Sequence, residues 1–400
     1  MWRCARYILS FSYMSELRKN ILDEARRVVV KIGSRILVDS ERGGVRTRYI
    51  QKLADSVARL MEAGKEVVVV TSGAVGTGMA ELGYKEKPTD MAEKQACAAV
   101  GQIDLMYAYR EMFRWVQLSV GQILLSAEDF RDRARYKNLQ NTIKAMLARK
   151  IVPIINENDS LAVAEIKVGD NDKLSSDVAL FLDADLLLIF TDEDGLFDDN
   201  PKKNPNARLL NFVPEITPAI LALAGKPGEA GSAVSTGGMR SKLEAIRNVT
   251  KSGANAFLAN GMKVLPHQVF FENANGTLFA GSKKKLNSRQ RWLSFITTPR
   301  GSVIVDEGGV KALREKHSSL LPVGVVAVQK HFDKGDLIEV LDEKKNPVAR
   351  GVAGFDSETL NLEIRIKKYK KYKKYPVIRS EVLGKDVPDE LIHKNDLVVF

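Results

Sequence analysis

Along residues 27–201, short apolar runs alternate with longer stretches whose apolar positions recur every three or four residues. RVVVKIG (27–33), EVVVVTSG (66–73), WVQLSVGQILLS (115–126), IVPII (151–155) and LLLIFT (186–191) are rich in β-branched and aliphatic residues, the composition of buried strands. TRYIQKLADSVARLMEAGK (47–65) has apolar residues at helical spacing and Gly64 as a C-cap signal. Residues 89–113, residues 128–150 and LSSDVALFLDAD (174–185) read as further helices. Strands that alternate with helices in this way imply a mostly parallel sheet with helices on both faces.

The pattern changes at TLFAGSKKKLNSRQRW (277–292), which is basic and polar. Beyond it, GSVIVDEGGVKAL, SSLLPVGVVAVQ, KGDLIEVLDE, NPVARGVAGF and LNLEIRI read as short strands and turns, a small β-rich domain. The expected division is a first domain at 26–282, a linker at 283–298, and a second domain with the C-terminal segment at 299–400. Residues 1–25 are expected to be an extension, disordered in part. MWRCARYILSFSYM (1–14) is too broken by serines for a secretory signal, and Met14 is a second candidate start.

Composition narrows the class. A 44% hydrophobic and 28% charged chain is that of a soluble globular protein, and its apolar runs are shorter than the roughly 20 residues needed to span a bilayer. Cys4 and Cys97 make no disulfide framework, so a cytoplasmic location is expected. The four histidines are scattered and show no metal-ligand spacing. Net charge is +11, and residues 283–400 hold 24 Lys+Arg against 16 Asp+Glu, so most of the excess sits in the C-terminal part, linker included.

The candidate chemistry lies where strands end. After IVPII come Asn156, Glu157, Asn158 and Asp159, and then Asp170, Asn171 and Asp172 directly after Gly169. Carboxylates take an ammonium and amide N–H groups take a carboxylate, so this stretch suits a small zwitterion at the carboxyl ends of the strands. Read blandly, it is a solvated loop with Asx-turns. Lys31 interrupts a β-branched run, where an unpaired ammonium is costly, and so reads as a phosphate contact or an edge lysine reaching water. Thr71, Ser72, Gly73 and Ala74 form a small-residue turn that lets backbone approach a ligand, although it matches no P-loop string. Thr191 and Asp192 end another strand. Thr236, Gly237, Gly238, Met239, Arg240, Ser241 and Lys242 join a glycine-rich segment to a helix N-terminus, a plausible phosphate cradle.

Together VVKIGS (29–34), VTSGAV (70–75), INENDS (155–160), EIKVGDNDKLS (165–175), TDEDGL (191–196) and TGGMRSK (236–242) resemble the motifs of the glutamate 5-kinase family of the amino acid kinase superfamily, in order and spacing. The resemblance covers about residues 26–400, and SSLLPVGV and ARGVAGFDSE are similar to a PUA domain. It implies a three-layer αβα sandwich with a mostly parallel sheet, the amino acid kinase fold, plus a small β-rich PUA domain. It also implies transfer of the ATP γ-phosphoryl group to the side-chain carboxylate of L-glutamate, with Mg²⁺ accompanying the nucleotide. Carried over from the motifs, Lys31 and Lys242 flank the transferring group and Asp172 orients them. Ser72, Asp159, Asn171 and Asp170 belong to the glutamate side; Lys31, Thr191, Asp192 and residues 236–242 belong to the ATP side. No protein metal ligands are implied. Family members are oligomeric and inhibited by proline, which implies a homo-oligomer with proline competing around the acidic loop.

This chain departs from the family pattern at Arg35 and Arg240, in its first 25 residues, and in the Lys-Lys-Tyr repeat 367–375. The repeat is expected as a solvated basic hairpin or loop; an extended, stacking segment that binds RNA is the less favoured reading. Two other functions compete with the main one. Another amino acid kinase superfamily enzyme would act on N-acetylglutamate, carbamate or a nucleotide, but the acidic loop suits a free α-amino group. An RNA-binding protein would use the PUA domain, with the kinase half as a scaffold.

Overall fold

The computed structural model describes residues 11–39, 43–161, 171–225, 238–272, 274–283, 285–296, 299–316, 318–372 and 388–400. The chain divides into two compact units, Met1–Lys285 and Leu286–Phe400.

The first unit is built on a sheet of strands β1 (Arg27–Ile32), β2 (Glu66–Val70), β3 (Val120–Leu125), β4 (Val152–Glu157), β5 (Leu186–Thr191), β6 (Phe212–Val213), β7 (Asn255–Asn260) and β8 (Thr277–Phe279). Their order is β3-β4-β2-β1-β5-β7-β8-β6, and every pairing except β7 with β8 is parallel. The central strands are buried on both faces, which is why they read as continuous apolar runs. Alternation assigns the faces. Val28, Val30, Ile32, Val67, Val69, Leu186, Leu188 and Phe190 join the core formed with the helices Thr47–Glu62 and Met91–Trp115. The opposite face, which carries Lys31, is covered by the helices Asn171–Leu182 and Met239–Lys251. The result is a three-layer αβα sandwich.

The connection order places the site. From β1 the chain moves outward to β2, β3 and β4 and then returns to β5 on the other side of β1. In open α/β sheets a ligand crevice forms outside the strand carboxyl ends at such a reversal. Gly73, at φ +100°, makes the turn after β2 into the helix Ala74–Glu81. That helix crosses Met91–Trp115 at Gly78 and Gly101, where a Cβ on Gly78 would lie 1.8 Å from the Cys97 carbonyl oxygen. No larger residue fits there.

The second unit holds β9 (Gly301–Val305), β10 (Val325–Lys330), β11 (Leu337–Leu341), β12 (Pro347–Val352) and β13 (Leu397–Val399) in the order β10-β9-β11-β12-β13. Its core is formed by residues such as Val303, Val325, Phe332, Ile338, Val340 and Leu391.

Several elements differ from the expectations. Residues 115–119 are not strand: Trp115 ends a helix and β3 begins at Val120. The stretch 128–150 forms two helices, Ala127–Arg131 and Arg133–Ala148, because the Asp132 side chain accepts from the Arg135 amide and caps the second. Residues Glu307–Lys316 are helical, capped by Asp306 on the Gly309 amide at 2.7 Å. LNLEIRI, expected as a strand, lies in the helix Ser357–Tyr372. Asp356 caps it through the Thr359 amide at 2.8 Å, and Leu360 and Ile364, one helical turn apart, are buried. The Lys-Lys-Tyr repeat is therefore helical through Tyr372 rather than a hairpin or loop; residues 373–375 lie outside the described residues. Ahead of β1 the chain forms the helix Phe11–Glu24, which buries Leu22 and sets the Arg18 guanidinium 4.9 Å from the Phe257 ring centroid. Among the described residues no helix is long and apolar enough to cross a membrane.

Candidate active site

Three sequence-predicted residues from distant positions meet in one buried cluster. Asp172 lies in the first turn of Asn171–Leu182 and is 2% exposed. Its Oδ1 accepts from Lys31 Nζ at 2.5 Å, and its Oδ2 accepts from Lys242 Nζ at 3.0 Å and from Ser241 Oγ at 2.9 Å. Lys31 reaches Asp172 because alternation along β1 turns it to the helical face opposite Val30 and Ile32. Lys242 and Ser241 come from the first turn of Met239–Lys251, after Gly238 at the N-cap. Burial opposes ionisation of Asp172, but the two ammonium groups outweigh it and hold its carboxyl well below the usual carboxylate range. Two ammonium groups held on one carboxylate form a buried charged cluster, a donor set that suits phosphoryl oxygens.

Beside this cluster, Asn171 Nδ2 donates to the Thr71 carbonyl at 3.0 Å and to Asn156 Oδ1 at 3.2 Å. Ser72 Oγ donates to the Ile32 carbonyl at 2.6 Å, so its own lone pairs remain to accept from a ligand. Asp159 is 8% exposed and opens a short 3₁₀ turn after β4. Burial, and then the charge of Glu157, push its carboxyl up to about 7, with Lys87 pulling the other way. Asp159 Oδ1 and Asn171 Oδ1 are buried acceptors without a hydrogen-bond partner among the described residues. Unpaired buried acceptors are costly, and an ammonium would satisfy them.

At the end of β5, Thr191 is buried and its Oγ1 donates to Asp192 Oδ1 at 3.0 Å. Arg35 forms an ion pair with Asp192. Burial opposes ionisation of Asp192, but the hydrogen bonds from Arg35 and Thr191 together with the Arg35 charge outweigh it and lower its carboxyl. Arg240 is tied to Glu244 of its own helix at 2.8 Å. Both departures from the motif therefore have a partner of opposite charge. Asp170, Thr236 and Gly237 lie outside the described residues. Two polar residues that the sequence reading left without a role also stand here: Asn156, quoted only as part of the acidic loop, and Gln102, whose Oε1 accepts from Asn156 Nδ2 at 2.8 Å. Nothing in the small-residue stretch ACAAVGQ distinguishes Gln102.

The profile of the Amino acid kinase family matches residues 26–260, and that of the PUA domain matches residues 301–375. The chain is 41% identical to a glutamate 5-kinase of Moorella thermoacetica over 380 residues, which is 95% of this chain and 97% of that protein. A glutamate 5-kinase of Shewanella oneidensis is 40% identical over 376 residues, 94% of this chain and 98% of that protein. The chain belongs to the glutamate 5-kinase family. As a glutamate 5-kinase family member it carries the amino acid kinase fold in its first unit and a PUA domain in its second. A solved structure of carbamate kinase from Giardia lamblia bound to AMP-PNP is similar with a TM-score of 0.47 and 17% identity, over 65% of this chain and 100% of that one.

Proposed function

We propose that this chain transfers the γ-phosphoryl group of ATP to the side-chain carboxylate of L-glutamate, giving γ-glutamyl phosphate for proline biosynthesis. The observation that carries the reading is the Lys31–Asp172–Lys242 cluster at the strand carboxyl ends, in a chain that matches glutamate 5-kinases along nearly its whole length. Phosphoryl transfer needs in-line positioning and charge neutralisation more than covalent chemistry. Lys31 and Lys242 stabilise the oxygens of the transferring group, and Asp172 sets their positions. A γ-carboxylate is already ionised at pH 7, so no general base is needed. Ser72, Asp159 and Asn171, with Asp170 from the acidic loop, hold glutamate; the two unpartnered oxygens take its ammonium. Thr191, Asp192 and residues 236–242 hold the nucleotide. Mg²⁺ enters as the nucleotide's own counter-ion, bound by phosphates and water.

The same reading places the protein in the cytoplasm as a homo-oligomer, with proline competing at the acidic loop. It assigns residues 26–282 to the kinase domain, 283–298 to a linker and 299–400 to the PUA domain and C-terminal segment. RNA binding through the basic second unit stays the less favoured reading. The deciding experiment supplies ATP and Mg²⁺ with L-glutamate, N-acetylglutamate or carbamate and follows ADP. Free L-glutamate is the preferred acceptor; faster turnover of either alternative overturns the assignment.

A further inference from the structure

We propose that Gln102 is a positioning residue for the amino acid substrate, acting through Asn156 to hold Asn171 as a pure acceptor. Three amide side chains from three separate elements stand in one chain: Gln102 on the helix Met91–Trp115, Asn156 on β4 and Asn171 at the start of Asn171–Leu182. Its direction follows from chemistry. The Thr71 carbonyl can only accept, so Asn171 turns Nδ2 toward it, at 3.0 Å. Asn156, 1% exposed, must then face that nitrogen with Oδ1, at 3.2 Å, because its own amide nitrogen would repel it. Asn156 Nδ2 in turn needs an acceptor, and Gln102 Oε1 supplies it at 2.8 Å.

Both N–H groups of Asn171 are thereby consumed, and only its Oδ1, which has no partner among the described residues, is left for a ligand. Without the Gln102 carbonyl, Asn156 Nδ2 loses its acceptor, and the amide that takes the second N–H of Asn171 is no longer braced from behind. Gln102 Nε2 meanwhile lies buried without a hydrogen-bond partner among the described residues. An unpaired buried donor opposes stability, so the Gln102 amide is not accounted for by folding alone.

The inference rests on Asn171 as a glutamate contact. Its test is the KM for L-glutamate, with kcat and melting temperature, in Gln102→Met, Gln102→Glu and Asn171→Ala. Methionine matches glutamine in length and has no carbonyl; glutamate keeps an acceptor for Asn156 and has no orphan donor. Gln102→Met is expected to raise KM for glutamate about tenfold, equivalent to about 1.4 kcal/mol, with kcat within about threefold. Gln102→Glu is expected to stay within about threefold of the starting KM. An unmoved KM in Gln102→Met overturns the proposal, as does a fall in kcat alone, which marks a merely structural role. A Gln102→Glu variant as impaired as Gln102→Met also overturns it, because the lost N–H would then be what matters. If Gln102→Met does not fold, Gln102→Leu replaces it under the same criteria. Asn171→Ala separates the two levels. An unmoved KM there removes the glutamate contact itself, whereas a raised KM beside a silent Gln102→Met removes only the role of Gln102.

Discussion

Replacing Asp172 with asparagine keeps the shape of the side chain and removes one charge from between two buried ammonium groups. The side chains of Lys31 and Lys242 are 7% and 9% exposed, so neither is well placed to recover full hydration. Removing one partner of a buried ion pair costs about 3–5 kcal/mol. For a unit of this size each kcal/mol moves the melting temperature by about 2–4 °C, which gives a fall of about 10 °C. The carboxyl is held below its ordinary value of 3.8, so its contribution is complete above about pH 4 and fades at lower pH. The gap between the two proteins should therefore be full at pH 7.5 and shrink in acid. Nucleotide phosphates should substitute in part for the lost charge, so saturating ATP should raise the variant's melting temperature more than that of the unmodified chain. The assay is thermal unfolding with and without ATP, paired with kcat, which should fall at least tenfold as the lysines lose their common anchor. A melting temperature within 2 °C at pH 7.5 together with an unchanged kcat would refute the role given to Asp172.

Lys242→Ala should lower kcat on the order of a hundredfold while leaving KM for glutamate within a few-fold, because a cation on the transferring group acts mainly in the transition state; a change confined to KM sinks that role. With the Asp159 carboxyl at about 7, only about a tenth is ionised at pH 6, so KM for glutamate should be about tenfold higher at pH 6 than at pH 8, and Asp159→Asn should flatten that profile. Because that pKa is raised on folding, the ligand-free chain should also lose stability as pH climbs from about 4 through about 7, a loss absent from Asp159→Asn and visible in its melting profile. Replacing the six lysines of residues 367–374 with serine should leave kinase activity within about twofold, since the segment lies outside every active-site motif; a defined RNA complex lost in that variant would instead promote the RNA reading. Deleting residues 1–13 should be silent, whereas deleting residues 1–24 should lower the melting temperature by several degrees, because Leu22 and Arg18 pack on the first unit.

The centre of the first unit was legible because its strands β1, β2, β4 and β5 are buried nearly throughout and read as continuous apolar runs; the partly exposed β3 was misjudged at its start, and β6, β7 and β8 were not picked out. The second unit misled where two signals conflicted. Leu360, Leu362, Ile364 and Ile366 alternate as a strand would, yet the cap at Asp356 starts a helix in which Leu362 is 42% exposed. The charged part of the site was legible for a related reason: Lys31 is out of place in its run, and acids and glycines cluster at the strand ends. Gln102 and Asn156 were not. Their role depends on hydrogen-bond direction across elements 54 residues apart in sequence, and a neutral amide in a helix or at a strand end carries no local cue.

The most direct test of the central claim follows an oxygen atom. L-glutamate labelled with ¹⁸O in its side-chain carboxylate is incubated with ATP, Mg²⁺ and hydroxylamine, and the released phosphate is analysed by mass spectrometry. Attack of the carboxylate on the γ-phosphorus places a labelled oxygen in the bridge, and hydroxylamine then cleaves at the carbonyl carbon. The expected products are γ-glutamyl hydroxamate and phosphate carrying one ¹⁸O per turnover. Phosphate without label would contradict it.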